Sequence, residues 1–158
     1  MTQAPLMDRI HITEDYDVPR VINGGWQLSA GHALERPLDL ADASRAFNRL
    51  IDMGFDTFDC ADIYTGVEDF FGGIIRERRK AGLRLPQIHT KFVPDLNDLA
   101  NVTPAYVENI ITRSLRRLGV ERLDAVQFHW WDYSVPGMVD VAGELMRLQE
   151  KGLIRLIS

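Results

Sequence analysis

Five short apolar runs of strand character recur at intervals of roughly 30 to 36 residues, and a helical pattern fills each gap, which is the period of one strand-helix unit in a parallel barrel. Polar residues of catalytic type fall at the C-terminal ends of three successive runs, the end at which such barrels carry their sites. The chain has 158 residues, where a complete barrel takes ~250. The predicted fold class is therefore α/β of the (β/α)8 TIM-barrel type, with about the first half present as five parallel strands and four helices. Residues 1–158 read as a single incomplete barrel domain, without a linker, a low-complexity tract or a second domain.

The elements follow in order. Residues 8–21 alternate charge with Ile10, Ile12, Tyr16 and Val18, the pattern of a small hairpin or irregular lead-in. Residues 20–23 are expected to form the first buried strand, followed by Gly24-Gly25-Trp26. Two glycines there permit positive φ or close approach to a ligand, and Trp26 supplies a rigid aromatic wall. From Leu40 to Met53, Ala43, Ala46, Phe47, Leu50 and Ile51 keep helical spacing, and Gly54 stops the run. The second strand lies within residues 54–60, with Phe55, Thr57 and Asp59 on one face and Asp56, Phe58 and Cys60 on the other, suited to burial on both sides.

Glu68 then opens a helix carrying Phe70, Phe71, Ile74 and Ile75, its acid favourably placed against the helix dipole. Residues 87–93 form the third strand, holding Lys91 near its end. Thr103 caps a helix with Pro104 at its first position, and Val107, Ile110, Ile111, Leu115 and Leu118 mark its apolar face up to Gly119. The fourth strand, residues 123–130, puts Ala125, Gln127 and His129 on one face. A helix over 138–150 and a fifth strand over 153–157 complete the pattern.

Composition narrows the function. With 46% apolar and 26% charged residues the chain can bury one sizeable core. A net charge of -5 without a basic block argues against a nucleic-acid surface. No apolar run approaches the ~20 residues of a membrane span. Cys60 is the one cysteine and the start, residues 1–5, lacks the features of a secretory signal, so a reducing, cytoplasmic setting is expected. His11, His32, His89 and His129 show no zinc-type spacing, and no metal site is expected.

Taken singly, Asp59 reads as a helix cap, Tyr64 as a half-buried loop aromatic, Lys91 as a paired strand lysine and His129 as a lone histidine. Those bland readings would have to coincide on one end of one sheet. The order Gly54-Phe55, Asp59, Ala61, Tyr64 and Glu68, with Gly24-Gly25-Trp26, Thr90-Lys91, Leu123-Asp124 to His129 and residues 152–157 in sequence, resembles the aldo-keto reductases.

That resemblance implies an oxidoreductase reducing a small aldehyde, ketone or sugar with NADPH, and a catalytic tetrad of Asp59, Tyr64, Lys91 and His129. Gly25, Trp26 and Asp59 are the implied cofactor contacts, and Trp26 and Trp130 the walls of the substrate pocket. Where many relatives carry Pro after the His-Trp pair, this chain has Trp131 at the pocket rim. Ser158 stands where relatives usually have Gly, and the residues that typically grip the cofactor's phosphates belong to strands further on.

The chemistry accounts for the residue types. A carbonyl accepting hydride at carbon needs a proton at the developing alkoxide, and a Tyr of ordinary pKa ≈ 10 can supply it. Lys91 is expected to lower the Tyr64 pKa, Asp59 to hold Lys91, and His129 to orient the carbonyl oxygen. The competing reading is an interaction or regulatory subunit, or a catalytically impaired fragment, derived from the same barrel. In either case an open sheet edge invites self-association.

Overall fold

The computed structural model describes residues 7–30 and 39–158; residues 1–5 and His32 lie outside them. An antiparallel hairpin comes first, β1 (Arg9–Thr13) with β2 (Tyr16–Pro19), as the alternation predicts. Five parallel strands follow: β3 (Asn23–Gly24), β4 (Thr57–Asp59), β5 (Gln87–Phe92), β6 (Leu123–Phe128) and β7 (Ile154–Ile157). They lie side by side in chain order, β3-β4-β5-β6-β7. Helices α1 (Leu40–Asp52), α2 (Val67–Lys80), α3 (Pro104–Leu118) and α4 (Met138–Glu150) occupy the crossovers. This is the partial (β/α)8 barrel that the spacing predicts.

Boundaries differ where the chain turns early. The first strand of the sheet is Asn23–Gly24 and not 20–23, because Arg20 N–H is already committed to Asp8 O, closing the hairpin at 3.0 Å. β6 stops at Phe128, two residues before its expected end. Local signals set the helix ends well. Thr103 Oγ1 accepts from Tyr106 N–H with Pro104 next to it, and Gly119 terminates α3 at a φ of 68°, a left-handed value that suits glycine.

Alternation decides which face of the sheet meets the helices. In β5, Ile88, Thr90 and Phe92 are buried while Gln87, His89 and Lys91 are only partly so. Phe58, Ile88, Phe92 and Val126 join Phe71, Ile74, Val107, Ile111 and Leu145 in one core between sheet and helices. Burying side chains of this size contributes about 1.5–3 kcal/mol each. The helices fit closely: a Cβ at Gly72 of α2 would stand 2.1 Å from the Arg117 carbonyl oxygen of α3.

The hairpin covers the N-terminal end of the sheet. Arg9 donates to Asp56 just ahead of β4 at 2.8 Å, Gln87 donates to Asp17 O, and Tyr16 Oη is 2.9 Å from His89 Nε2. No helix among the described residues is long and apolar enough to cross a membrane.

Candidate active site

The opposite, C-terminal end of the sheet holds the candidate residues. Asp59 is the last residue of β4 and pairs with His89 of β5, so Asp59 shares a face with Lys91 two residues on. Lys91 Nζ donates to Asp59 Oδ1 at 2.5 Å and to the Cys60 carbonyl at 2.7 Å. A lysine at this depth needs such partners, since an isolated buried charge is costly. Its ammonium also lies over the Tyr64 ring, 5.3 Å from the centroid, within cation–π range. Asp59, Tyr64 and Lys91 are thereby brought together as predicted.

One expectation fails. Tyr64 keeps a pKa above its ordinary value, because partial burial and then the negative charge of Asp59 disfavour the phenolate. Lys91 does not lower it in this geometry. The ammonium is spent on Asp59 and on a backbone carbonyl, and it lies over the Tyr64 ring.

His129 stands at the same sheet end, just past β6, with its backbone N–H on Phe92 O at 3.0 Å. Its side chain is exposed, and its ring meets Trp131 edge-on at 4.5 Å between centroids. Trp131 is itself fixed by an indole N–H to Pro94 O at 2.8 Å. Trp131, placed by sequence only at the rim, is thus the aromatic neighbour of the histidine.

The expected pocket walls divide. Trp26 is exposed, in a short 3-10 turn directly after the β3 end, as an open wall requires. Trp130 is 5% exposed, packs on Phe128 and donates its indole N–H to Val135 O. It packs with the core, so the substrate-pocket wall expected at this position is not exposed in this chain.

Gly25, the other expected contact, has its backbone polar groups paired within the chain. Its N–H donates to Asp59 O at 2.8 Å, its carbonyl accepts from Leu28, and an added Cβ would meet Asp59 O, Phe71 and Val67 at 3.0 Å each. The glycine lets the strand end pack against α2. Gly24, by contrast, has open space at its Cα.

Two residues gain roles that sequence reasoning missed. Gln127 of β6 donates from Nε2 to Asp59 Oδ1 at 2.9 Å. Glu68, read only as a dipole-favoured acid, is buried and accepts from Thr90 Oγ1 at 2.7 Å and from Arg117 at 3.2 Å. Beside it, Asp62 accepts from Val93 N–H and Arg113, each at 3.0 Å. Burial still pushes the Asp62 carboxyl up to about 7. These two acids anchor the loop carrying Tyr64 to β5 and α3.

A cleft of about 620 Å³, lined by Asp62, Val93, Tyr106, Arg113 and Arg116 among others, opens between that loop and α3. Asp59, Tyr64 and Lys91 do not line it, and the chemistry gathers elsewhere.

Donor groups at the sheet end suit an oxygen acceptor: the Tyr64 phenol retains its proton and the His129 ring is exposed, above a fixed Asp59–Lys91 pair. The model of the aldo/keto reductase family matches residues 20–158. "Probable aldo-keto reductase 1" of Glycine max is 29% identical over 166 residues, which takes in 100% of this chain and 46% of the relative. An aldo-keto reductase of Bacillus halodurans, solved in its holo form, superposes with a TM-score of 0.73 at 23% identity, over 96% of this chain and 50% of that one. Another, from the silkworm Bombyx mori, gives 0.74 at 21% identity, over 96% and 47%. The chain thus spans about half the length of relatives that share its fold, and the structural likeness at such identities speaks for the fold alone. Because the family model runs from the lead-in to the last strand, through the turn that holds Asp59 and Tyr64, the chain belongs to the aldo/keto reductase family.

Proposed function

We propose that this chain carries the proton-donating side of an NADP(H)-dependent carbonyl reductase acting on a small aldehyde, ketone or sugar. The observation that carries the reading is the Lys91 ammonium, held by Asp59 Oδ1 at 2.5 Å and lying over the Tyr64 ring. A reduced nicotinamide, when bound, supplies the hydride, which no side chain here can provide. Tyr64 holds the proton that the alkoxide oxygen takes up, and its raised pKa keeps the phenol protonated at neutral pH. Lys91 brings positive charge near that oxygen, and Asp59 fixes the lysine. The exposed His129 ring is the second donor for the carbonyl oxygen, braced by Trp131.

For the cofactor itself, Trp26 and Asp59 fit the nicotinamide end, as an exposed indole and a polar strand end beside open space at Gly24. Gly25 does not, since its polar groups are already paired within the chain. The single, buried Cys60, with a thiol pushed up by burial, fits a reducing cytoplasmic setting.

An interaction subunit built on the same barrel is the second reading. Following loss of nicotinamide absorbance with NADPH and a panel of aldehydes separates the two. Turnover that disappears in Tyr64→Phe supports the reductase. A properly folded chain, also supplied with the complementary barrel half, that consumes no NADPH overturns it.

A further inference from the structure

Gln127 points onto the face of the sheet that bears Asp59 and Lys91, and the register says why. Gln127 pairs with Lys91 between the parallel strands β6 and β5, so the two side chains project together. Its Nε2 reaches past β5 to Asp59 Oδ1 at 2.9 Å, the same oxygen that accepts from Lys91 Nζ at 2.5 Å. One carboxylate oxygen therefore ties three successive strands.

Resting on the reductase reading above, we propose that Gln127 is a positioning residue, whose amide holds the Asp59 carboxylate in the rotamer that keeps Lys91 over Tyr64. Asp59 is a residue at a strand end with 31% of its side chain exposed, and a carboxylate there is free to turn toward water unless something besides the lysine holds it. Lys91 has a second acceptor in Cys60 O, so loss of the aspartate's orientation would leave the ammonium on the backbone and away from the phenol side. The amide is suited to this task. It donates without adding charge, whereas a second cation would compete with Lys91 for the same oxygen and an apolar residue would leave Asp59 with one ligand.

The other groups facing Asp59 are His89 on β5, which burial disposes to stay neutral, and Cys60 and Tyr64 after β4. His89 is already engaged with Tyr16 on the far side. Gln127 and Lys91 are the side-chain donors to Asp59 among the described residues.

The test is NMR on the purified chain at neutral pH, wild type against Gln127→Leu and the isosteric Gln127→Glu, reading the Asp59 carboxyl carbon and the Lys91 ε-methylene, which the Tyr64 ring current shifts while the ammonium lies over that ring. Loss of the amide donor should move the Asp59 carboxyl-carbon resonance and take the Lys91 ε-methylene out of the ring-current field, and the like charge of Gln127→Glu should do so at least as strongly. In any form that reduces carbonyls, kcat should fall by about tenfold with carbonyl KM unchanged, as misorientation of the reacting groups requires. Gln127→Glu keeps the size of the side chain, so it reads the effect if Gln127→Leu fails to fold. Variants that lower the melting temperature while leaving both resonances in place would reduce Gln127 to a packing residue and overturn the proposal. The resonances do not depend on turnover, so an inactive chain would count against the reductase reading without obscuring this result.

Discussion

Tyr64 joins a loop position to a chemical task through one atom. Tyr64→Phe removes the hydroxyl and leaves a ring that still packs under the Lys91 ammonium, so the fold should persist while carbonyl reduction drops by about 10²- to 10⁴-fold. Circular dichroism and turnover on the same sample check both halves of that statement. The raised pKa of Tyr64 also fixes a pH dependence. A phenol that resists ionisation keeps its proton through neutrality, so the reduction rate should stay level on the alkaline side until the pH passes the ordinary tyrosine value of about 10. A fall centred near pH 8 would mean that Lys91 does depress the phenol. Lys91, Asp59 and Tyr64 were legible as residues from their places after successive strands. Which atom of the tyrosine the lysine meets was not, because a side chain of four methylenes chooses among acceptors in space.

At the scale of elements, the contact between α2 and α3 and the anchored β4–α2 loop decide how firmly the site is held. Gly72→Ala would drive a Cβ into the Arg117 carbonyl at 2.1 Å, with backbone carbons of Arg117 and Leu118 at 3.1 and 3.2 Å, so no rotamer change relieves the clash. Alanine gains about 1 kcal/mol of helix propensity over glycine, yet overpacking here should prevail and leave a net loss of about 1–3 kcal/mol in denaturant unfolding. A neutral or stabilising result would show that the helices separate readily.

Asp62 supplies a pH test of the loop. Its carboxyl, raised to about 7 by burial, favours the folded state while protonated. That contribution is complete below the unfolded value near 4 and is lost as pH rises through about 7. Asp62→Asn keeps an oxygen acceptor for Val93 N–H and removes the titration. Unfolding of the wild type should therefore become easier between pH 5 and pH 7.5 by more than that of the variant. Parallel pH dependences would place the Asp62 pKa outside this window.

At the scale of the whole chain, the described sheet has two edges. β3 and β7 each have one neighbour in the described sheet, whereas a closed barrel pairs its first and last strands. Exposed Val21 and Ile22 lie directly before the β3 edge. The 158-residue chain, made alone, should self-associate through these edges or be poorly soluble, and should reduce carbonyls weakly unless the complementary barrel half is supplied. Light scattering joined to a turnover assay decides this: a cooperatively folding monomer with full NADPH-dependent activity would contradict it.

Local chemistry alone determined the helices, whose periodic faces and caps at Thr103 and Gly119 act within a few residues of chain, and it determined the repeat that makes the sheet parallel. It also determined that Asp59, Lys91 and His129 share one sheet end, since position along a strand is a local property. Only the tertiary structure decided that Trp131 braces His129. The end of β6 at Phe128 depends on pairing with β5, which alternation along one strand cannot register. The same holds for Gln127 and Gly25. One reaches an oxygen two strands away and the other makes room for a helix 42 residues further along the chain, and contacts over such separations are set by register and packing, not by neighbours in sequence.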